Sequence, residues 1–537
     1  MNKILSYRFS IYIPLFVLFF VLVLNSTPPL EWGYDEFGTI VSHLELDNPD
    51  FNNIYRGYFV ELGITNPVAL EFIINYILPL IIVPVRWTYA LGISPILGFS
   101  RFVEIDWPML GFILLMPHII VAILGAFLVS QSISKTRESC YIFILFISFV
   151  LLSHPFLKWT LTLTSYSHHL FCFGLLIYSE TQLKETNKFF SKLTIFRSII
   201  QLFNYQYIVI VAVIGLYQFV SNFRIFFKNK IYLNWILPAI TALISIIFIV
   251  LRAIISGKHM NPSYIDNTEV YNFSANSDGA ISSIQYVINR FIDFINYFFV
   301  QKDSFYGGSN DSDFSIFLIS TFVVVCFFIY FKVLNKISLN VKKTLILIIF
   351  SLLIPYLLSI QPFVATRHSL VFFLPIALVF SYSVAIFLEF FFKKKIIILG
   401  SLLFLLISAL NAIALNNYKT GIFNIEETST ILSKYSVNQI VLSPCDFEPL
   451  LYNTIRSDYA VFYRCGPKII SKVNPDENRI AIFAKQEMLI STAKEIISDY
   501  SLNEWILIDK SFCSLEGSKE DSCKSNFFIF DRVINSD

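Results

Sequence analysis

The chain has 537 residues, 55% of them hydrophobic and only 15% charged, with a formal net charge of +2 and a mean hydropathy of +0.65. A soluble globular domain carries more charge and fewer apolar residues, so that class is excluded. The near-neutral balance leaves no electrostatic footprint for nucleic acid. Repeated apolar stretches of about twenty residues predict a multi-pass α-helical membrane protein.

Lys3 and Arg8 precede the first apolar run, residues 11–24, and place the N-terminus in the cytoplasm. Asn25-Ser26-Thr27-Pro28 follows in place of a small-x-small cleavage site, so the run is expected to stay as a signal anchor. Residues 28–108 then form a long outer segment. It opens with Trp32-Gly33-Tyr34-Asp35-Glu36-Phe37-Gly38-Thr39, two adjacent acids among aromatics of the kind that settle at the membrane boundary. Neighbouring carboxylates raise each other's pKa, which suits one of them to general-base work. The plainer reading is a pair of solvated acids in a loop after a helix. The apolar stretch 68–85 is interrupted by Glu71, Asn75, Pro79 and Pro84, so it is expected to lie along the outer interface rather than cross.

Residues 109–130 return inward to Lys135 and Arg137, and 140–152 go out. His154-Pro155-Phe156-Leu157-Lys158-Trp159 reads as an outer turn. Residues 161–178 come back with Tyr166, His168 and His169 near their outer end, and Lys184, Lys188, Lys192 and Arg197 mark the inside. One span over 189–222 would throw Arg224, Lys228 and Lys230 outside. Two short spans broken at residues 203–207 keep them inside, and such broken helices often line polar cavities. Residues 231–251 go out and 252–313 form a second outer segment. Within it Ile281, Ile284, Ile288, Phe291, Ile295 and Phe298 recur at helical spacing, as in a helix lying on the membrane surface. Spans at 314–331, 345–360, 368–392 and 396–415 complete a count of about eleven, and the basic clusters leave the C-terminus outside.

The membrane domain is thus expected over residues 1–416 and an extracytoplasmic domain over 417–537. In the latter, strand-like runs at 439–442, 460–463, 480–483, 505–508 and 527–530 alternate with helical patterns such as 488–500, which reads as a small α/β domain. Cys140, Cys172 and Cys326 fall in spans as apolar filler. Cys445, Cys465, Cys513 and Cys523 fall in the outer domain, where two disulfides are expected. Proximity favours Cys445–Cys465 and Cys513–Cys523 among three pairings.

With this topology Asp35, Glu36, His43, Lys158, Tyr166, His168, His169, Gln206, Arg367 and His368 share the outer membrane depth. Ionisable groups at that depth are functional candidates. The chain resembles the GT-C superfamily of membrane glycosyltransferases, in particular the bacterial dolichyl-phosphate-mannose-protein mannosyltransferase-like and aminoarabinose-transferase-like group. The resemblance spans roughly residues 1–415. It rests on Tyr34-Asp35-Glu36 in a long first outer loop, on the Tyr166 region opening a span, and on Thr366-Arg367-His368-Ser369-Leu370-Val371-Phe372-Phe373-Leu374-Pro375 opening a late one. Many relatives carry an acid or an arginine just before the Tyr166 position, where this chain has Thr164 and Ser165, which leaves donor and acceptor open.

The resemblance implies a GT-C-like fold, a polyprenyl-phosphate-linked sugar donor, a lipid, glycan or protein acceptor, inversion at the sugar carbon, and a catalytic acid in the first outer loop. The residues suit that chemistry by themselves. Asp35 can take the acceptor proton and Arg367 can grip a phosphate with a bidentate fork. Glu36 can steady Asp35 or help hold a divalent cation. Tyr166, Lys158, His168, His169 and His368 are candidate substrate contacts. For Arg367 the simpler alternative is an interface anchor, and for the histidines a packed interface pair. A polysaccharide polymerase or ligase, and a transporter or flippase of polyprenyl-linked sugars, are the competing functions.

Overall fold

Within lipid every backbone N–H and C=O must find an internal partner, so long apolar segments fold as helices. The computed structural model describes residues 2–26, 66–73, 107–133, 139–161, 168–183, 188–221, 223–259, 339–357 and 370–416, the strands between 439 and 532, Phe294 and Phe298, and a few residues flanking the strands. The chain divides into two units, Met1–Pro28 with Val85–Tyr418, and Pro29–Pro84 with Lys419–Asp537.

The first unit is helical. Its described helices are α1 (Asn2–Ser26), α3 (Trp107–Ile133), α4 (Ser139–Leu152), α5 (His154–Thr160), α6 (His169–Gln182), α7 (Lys192–Phe203), α8 (Tyr207–Ser221), α9 (Phe223–Lys228), α10 (Leu233–His259), α11 (Leu339–Leu357), α12 (Leu370–Phe391) and α13 (Lys394–Asn416); α2 (Pro67–Phe72) belongs to the second unit. Among the described residues three helices are long and apolar enough to cross a membrane: Leu115–Ile133, Leu370–Phe391 and Lys394–Ala414. Shorter apolar helices occupy Ile11–Ser26, Tyr141–Leu152, Tyr207–Ser221 and Leu233–Ile247. Large apolar side chains remain exposed along α10 and α13, Leu399 at 70% among them, as expected of helices that face lipid.

Side-chain contacts fix the helix directions. α3 and α6 run parallel: the rings of His118 and His168 meet at one end, and Gln182 Nε2 donates to the Ser132 carbonyl at the other, 3.3 Å. Between these points Gly125 and Gly174 bring the backbones together. A Cβ on Gly174 would lie 2.9 Å from Gly125 Cα, and one on Gly125 would lie 2.5 Å from Phe171 Cα. Small residues allow this approach in membrane bundles, where packing rather than water drives association. α7 runs antiparallel to α6, with Asn204 beside His169 and Arg197 bonded to Glu180. α10 runs parallel to α7, with Asn234 near Ser191 and Thr194 and Ser245 Oγ donating to the Gln201 carbonyl. α12 is antiparallel to α4 and α5, through Phe149–Phe380 and Phe156–Phe373 ring contacts.

Several elements differ from the sequence reading. The expected turn after α4 is the short helix α5, whose Phe156, Leu157 and Trp159 are buried. α6 starts at His169, later than residue 161, and runs on to Gln182. Phe298, assigned to a helix on the membrane surface, is buried against Phe373 at 4.8 Å between ring centroids. Of the interrupted stretch 68–85, the described part is α2, capped by Asn66, with Val68 and Phe72 exposed.

In the second unit a mixed sheet runs in the order β3-β2-β1-β4-β7-β5, with β6 also on β7. Its strands are β1 (Gln439–Ser443), β2 (Ala460–Cys465), β3 (Lys468–Ile469), β4 (Arg479–Leu489), β5 (Trp505–Leu507), β6 (Ser514–Leu515) and β7 (Cys523–Arg532). β1 pairs parallel with β2 and β4, and β7 pairs antiparallel with β4 and β5. β4 extends to Leu489, so Met488 and Leu489, expected to open a helix, are paired with Ser525 and Lys524. Ile480, Ala481, Ile482, Phe528, Ile529 and Phe530 form its buried centre. Cys465 and Cys523 lie in strands while Cys445 and Cys513 lie outside the described residues, as do the sulfur positions that would test the pairing.

The α3–α6 contact predicts the effect of one methyl group. Gly174→Ala should destabilise the purified protein by about 1–3 kcal/mol, the usual cost of overpacking, read as a lower unfolding temperature in detergent. An unchanged unfolding temperature would count against the backbone approach.

Candidate functional site

The helix break between α7 and α8 organises the polar end of the bundle. Asn204 leaves the helix in an extended conformation, φ −148°, ψ 115°. Its Oδ1 accepts from the Gln206 N–H at 3.0 Å, the local bond by which asparagine competes with helix. With Oδ1 occupied, Nδ2 turns to His169 Nδ1, 3.5 Å away. An amide NH2 can only donate, so Nδ1 accepts and the imidazole proton sits on Nε2. Tyr207, opening α8, donates its hydroxyl to the His169 carbonyl at 3.1 Å, and its ring lies 5.9 Å from the His169 ring.

His168 is the N-cap residue of α6. Its ring lies between His118 of α3 and Phe203 of α7, each 5.2 Å away between centroids. His118, His168 and His169 are all buried. Among the described residues no group of three or more His, Cys, Asp and Glu side chains is arranged to hold a metal ion. The trio is packed by ring contacts at one end of an apolar bundle.

Of the residues singled out in the sequence, His168 and His169 are brought together, with Gln206 buried beside them in the break. Lys158 lies on α5, and its side chain is not described. Asp35, Glu36, His43, Tyr166, Arg367 and His368 lie outside the described residues. α12 begins two residues after His368. Because α4 returns along α3 after a short connection, α5 and the start of α12 stand at the His118 end of α3.

Two features escaped the sequence reading. His118 is an ionisable group inside an apolar span, which is a signal in itself. The other lies at the far end of α6. Arg197, one of the basic residues that mark the inside, is fully buried: its Nε and Nη2 bond the two Glu180 carboxylate oxygens at 2.8 and 2.9 Å. Its guanidinium carbon lies 3.9 Å from the Trp235 ring centroid. Ser191, Thr194 and Asn234 form a hydrogen-bonded cluster on the same helices. Lys192, Arg224, Lys228, Lys230 and Lys343 are exposed at this same end.

No protein-family model matches the chain, no curated protein matches it, and no solved structure matches it.

Removing one member of a buried ion pair strands the other charge. Glu180→Ala should cost about 3–5 kcal/mol, whereas Glu180→Ala combined with Arg197→Met should recover most of that loss. Thermal unfolding of the purified variants checks both; equal damage in the single and double variants would contradict the pairing.

Proposed function

We propose that the chain is an integral membrane glycosyltransferase with a GT-C-like domain of about eleven spans, moving a sugar from a polyprenyl-phosphate donor to a lipid, glycan or protein acceptor on the outer face. The observation that carries the reading is the polarity of the bundle. Buried imidazoles, Asn204 and Tyr207 gather at one end, and Arg224 with several exposed lysines crowds the other. By the positive-inside rule the basic end is cytoplasmic and the histidine end faces out. Lys158 belongs to an element at that same end, and Arg367-His368 lead the chain into another. Asp35, Glu36 and Tyr166 are assigned on sequence grounds alone.

In the reaction the acceptor hydroxyl attacks the anomeric carbon, the bond from that carbon to the phosphate oxygen breaks, and polyprenyl phosphate leaves with the electron pair. Asp35 takes the acceptor proton. Arg367 holds the departing phosphate by two parallel N–H bonds, which a lysine cannot supply. His168 and His169, buried at the end assigned to the outer face, are the proposed contacts for sugar or phosphate oxygens. The buried Glu180–Arg197 pair and the histidine cluster also suit a transporter or flippase, since ionisable groups inside a membrane often line a transport path. A polymerase or ligase would share the donor.

Sugar transfer by the purified protein, with polyprenyl-phosphate sugars as donors, separates transferase from transporter. Asp35→Asn should lower turnover about a hundredfold or more without loss of folding; wild-type turnover would remove Asp35 from the mechanism. Arg367→Lys should weaken donor use by about 1.5–3 kcal/mol. An unchanged donor-concentration dependence would make Arg367 an interface anchor.

A further inference from the structure

The corner between α8, α9 and α10 combines three uncommon features. The first is a strained cation. α9 ends with the Ile231 N–H on the Phe226 carbonyl at 2.9 Å and the Lys230 N–H on the Phe227 carbonyl at 3.1 Å, the paired bonds of a Schellman cap. The residue that must turn left-handed there is Lys230, φ 53°, where glycine carries no steric cost. The second is a concentration of basic charge. Arg224, Lys228 and Lys230 are exposed around the turn, and the exposed Lys343 reaches over the Tyr217 ring at 4.3 Å. No Asp or Glu occurs between Glu185 and Asp266 or within α11. The third is apolar surface between the charges. Phe223 and Phe227 are 54% and 51% exposed, Leu216 and Val220 are exposed beside them, and Phe219 and Phe226 back the rings.

The geometry points to a binding site for the headgroup of an anionic phospholipid on Arg224, Lys228, Lys230 and Lys343, with its acyl chains against Phe223, Phe227, Leu216 and Val220. The cations match the phosphodiester and the exposed rings match the chain boundary, a division of labour that neither a free anion nor an acidic protein segment would need. The inference rests on the chain lying in a membrane and not on the reaction it catalyses.

The test titrates fluorescent phosphatidylglycerol or phosphatidylcholine into the purified full-length protein in detergent, with no sugar donor present. The wild type should bind phosphatidylglycerol more tightly. Lys230→Gly and Lys230→Gln should each weaken that binding about fivefold, the contribution of one surface cation, and adding Arg224→Gln and Lys228→Gln should abolish the preference. Lys230→Gly should also raise the unfolding temperature in lipid-free detergent, because it relieves the left-handed lysine. Equal affinity for the two lipids, or a preference that survives in the triple variant, would overturn the site. Displacement by inorganic phosphate at the lipid's own concentration would overturn the commitment to a lipid.

Discussion

One asparagine sets the course of much of the helical unit. If α7 and α8 were a single helix, the chain after residue 206 would leave at the opposite end of the bundle. The basic cluster at Arg224, Lys228 and Lys230 would then emerge beyond the histidine end, on the outer side. Asn204 prevents this by satisfying the Gln206 N–H with its own side chain, so the backbone can stop being helical without leaving that donor unpaired in an apolar setting. The same side chain reaches His169. The break and the candidate site are thus one hydrogen-bonded unit.

Around that unit the bundle sorts its polar groups by position. The imidazoles take one end with Asn204 and Gln206, and the Glu180–Arg197 fork with its Trp235 lid, together with Gln182 and Asn234, takes the other. The middle is apolar and close-packed, with the glycine contact of α3 and α6 within it. In lipid there is no hydrophobic gain from pressing apolar helices together, so close backbone approach and buried polar bonds supply the specificity. The parallel course of α3 and α6 places His118 and His168 at matching heights, and the antiparallel course of α7 brings Asn204 to the same level.

The break at residues 203–207 was legible because charge sidedness demanded it, and it lies where α7 and α8 separate. The strands at 439–442, 460–463, 480–483 and 527–530 were legible because runs of β-branched and aromatic residues have few other homes. Long-range pairing was not legible. Nothing in the local sequence says that Arg197 meets Glu180, so its charge was legible as a topology marker while its burial and pairing were not. The continuation of β4 through Met488 and Leu489 is set by pairing with β7, which local helical spacing does not reveal. His118 stood alone in an apolar span, and only tertiary packing gave it His168 as a neighbour. The acids and the arginine on which the proposed chemistry turns lie in Asp35-Glu36 and Arg367, outside the described residues, so their roles rest on sequence and resemblance.

The claim that joins these points is that the histidine end faces out and the basic end faces the cytoplasm. Tyr205, 40% exposed in the break, and the exposed Asn229 report on the two ends. Tyr205→Cys and Asn229→Cys, treated in intact cells with a membrane-impermeant maleimide and compared with the parent chain, measure sidedness directly. Tyr205→Cys should label in intact cells, and Asn229→Cys only after the membrane is permeabilised. Labelling of Asn229→Cys in intact cells, with Tyr205→Cys protected until permeabilisation, would contradict the orientation and with it the outer-face site.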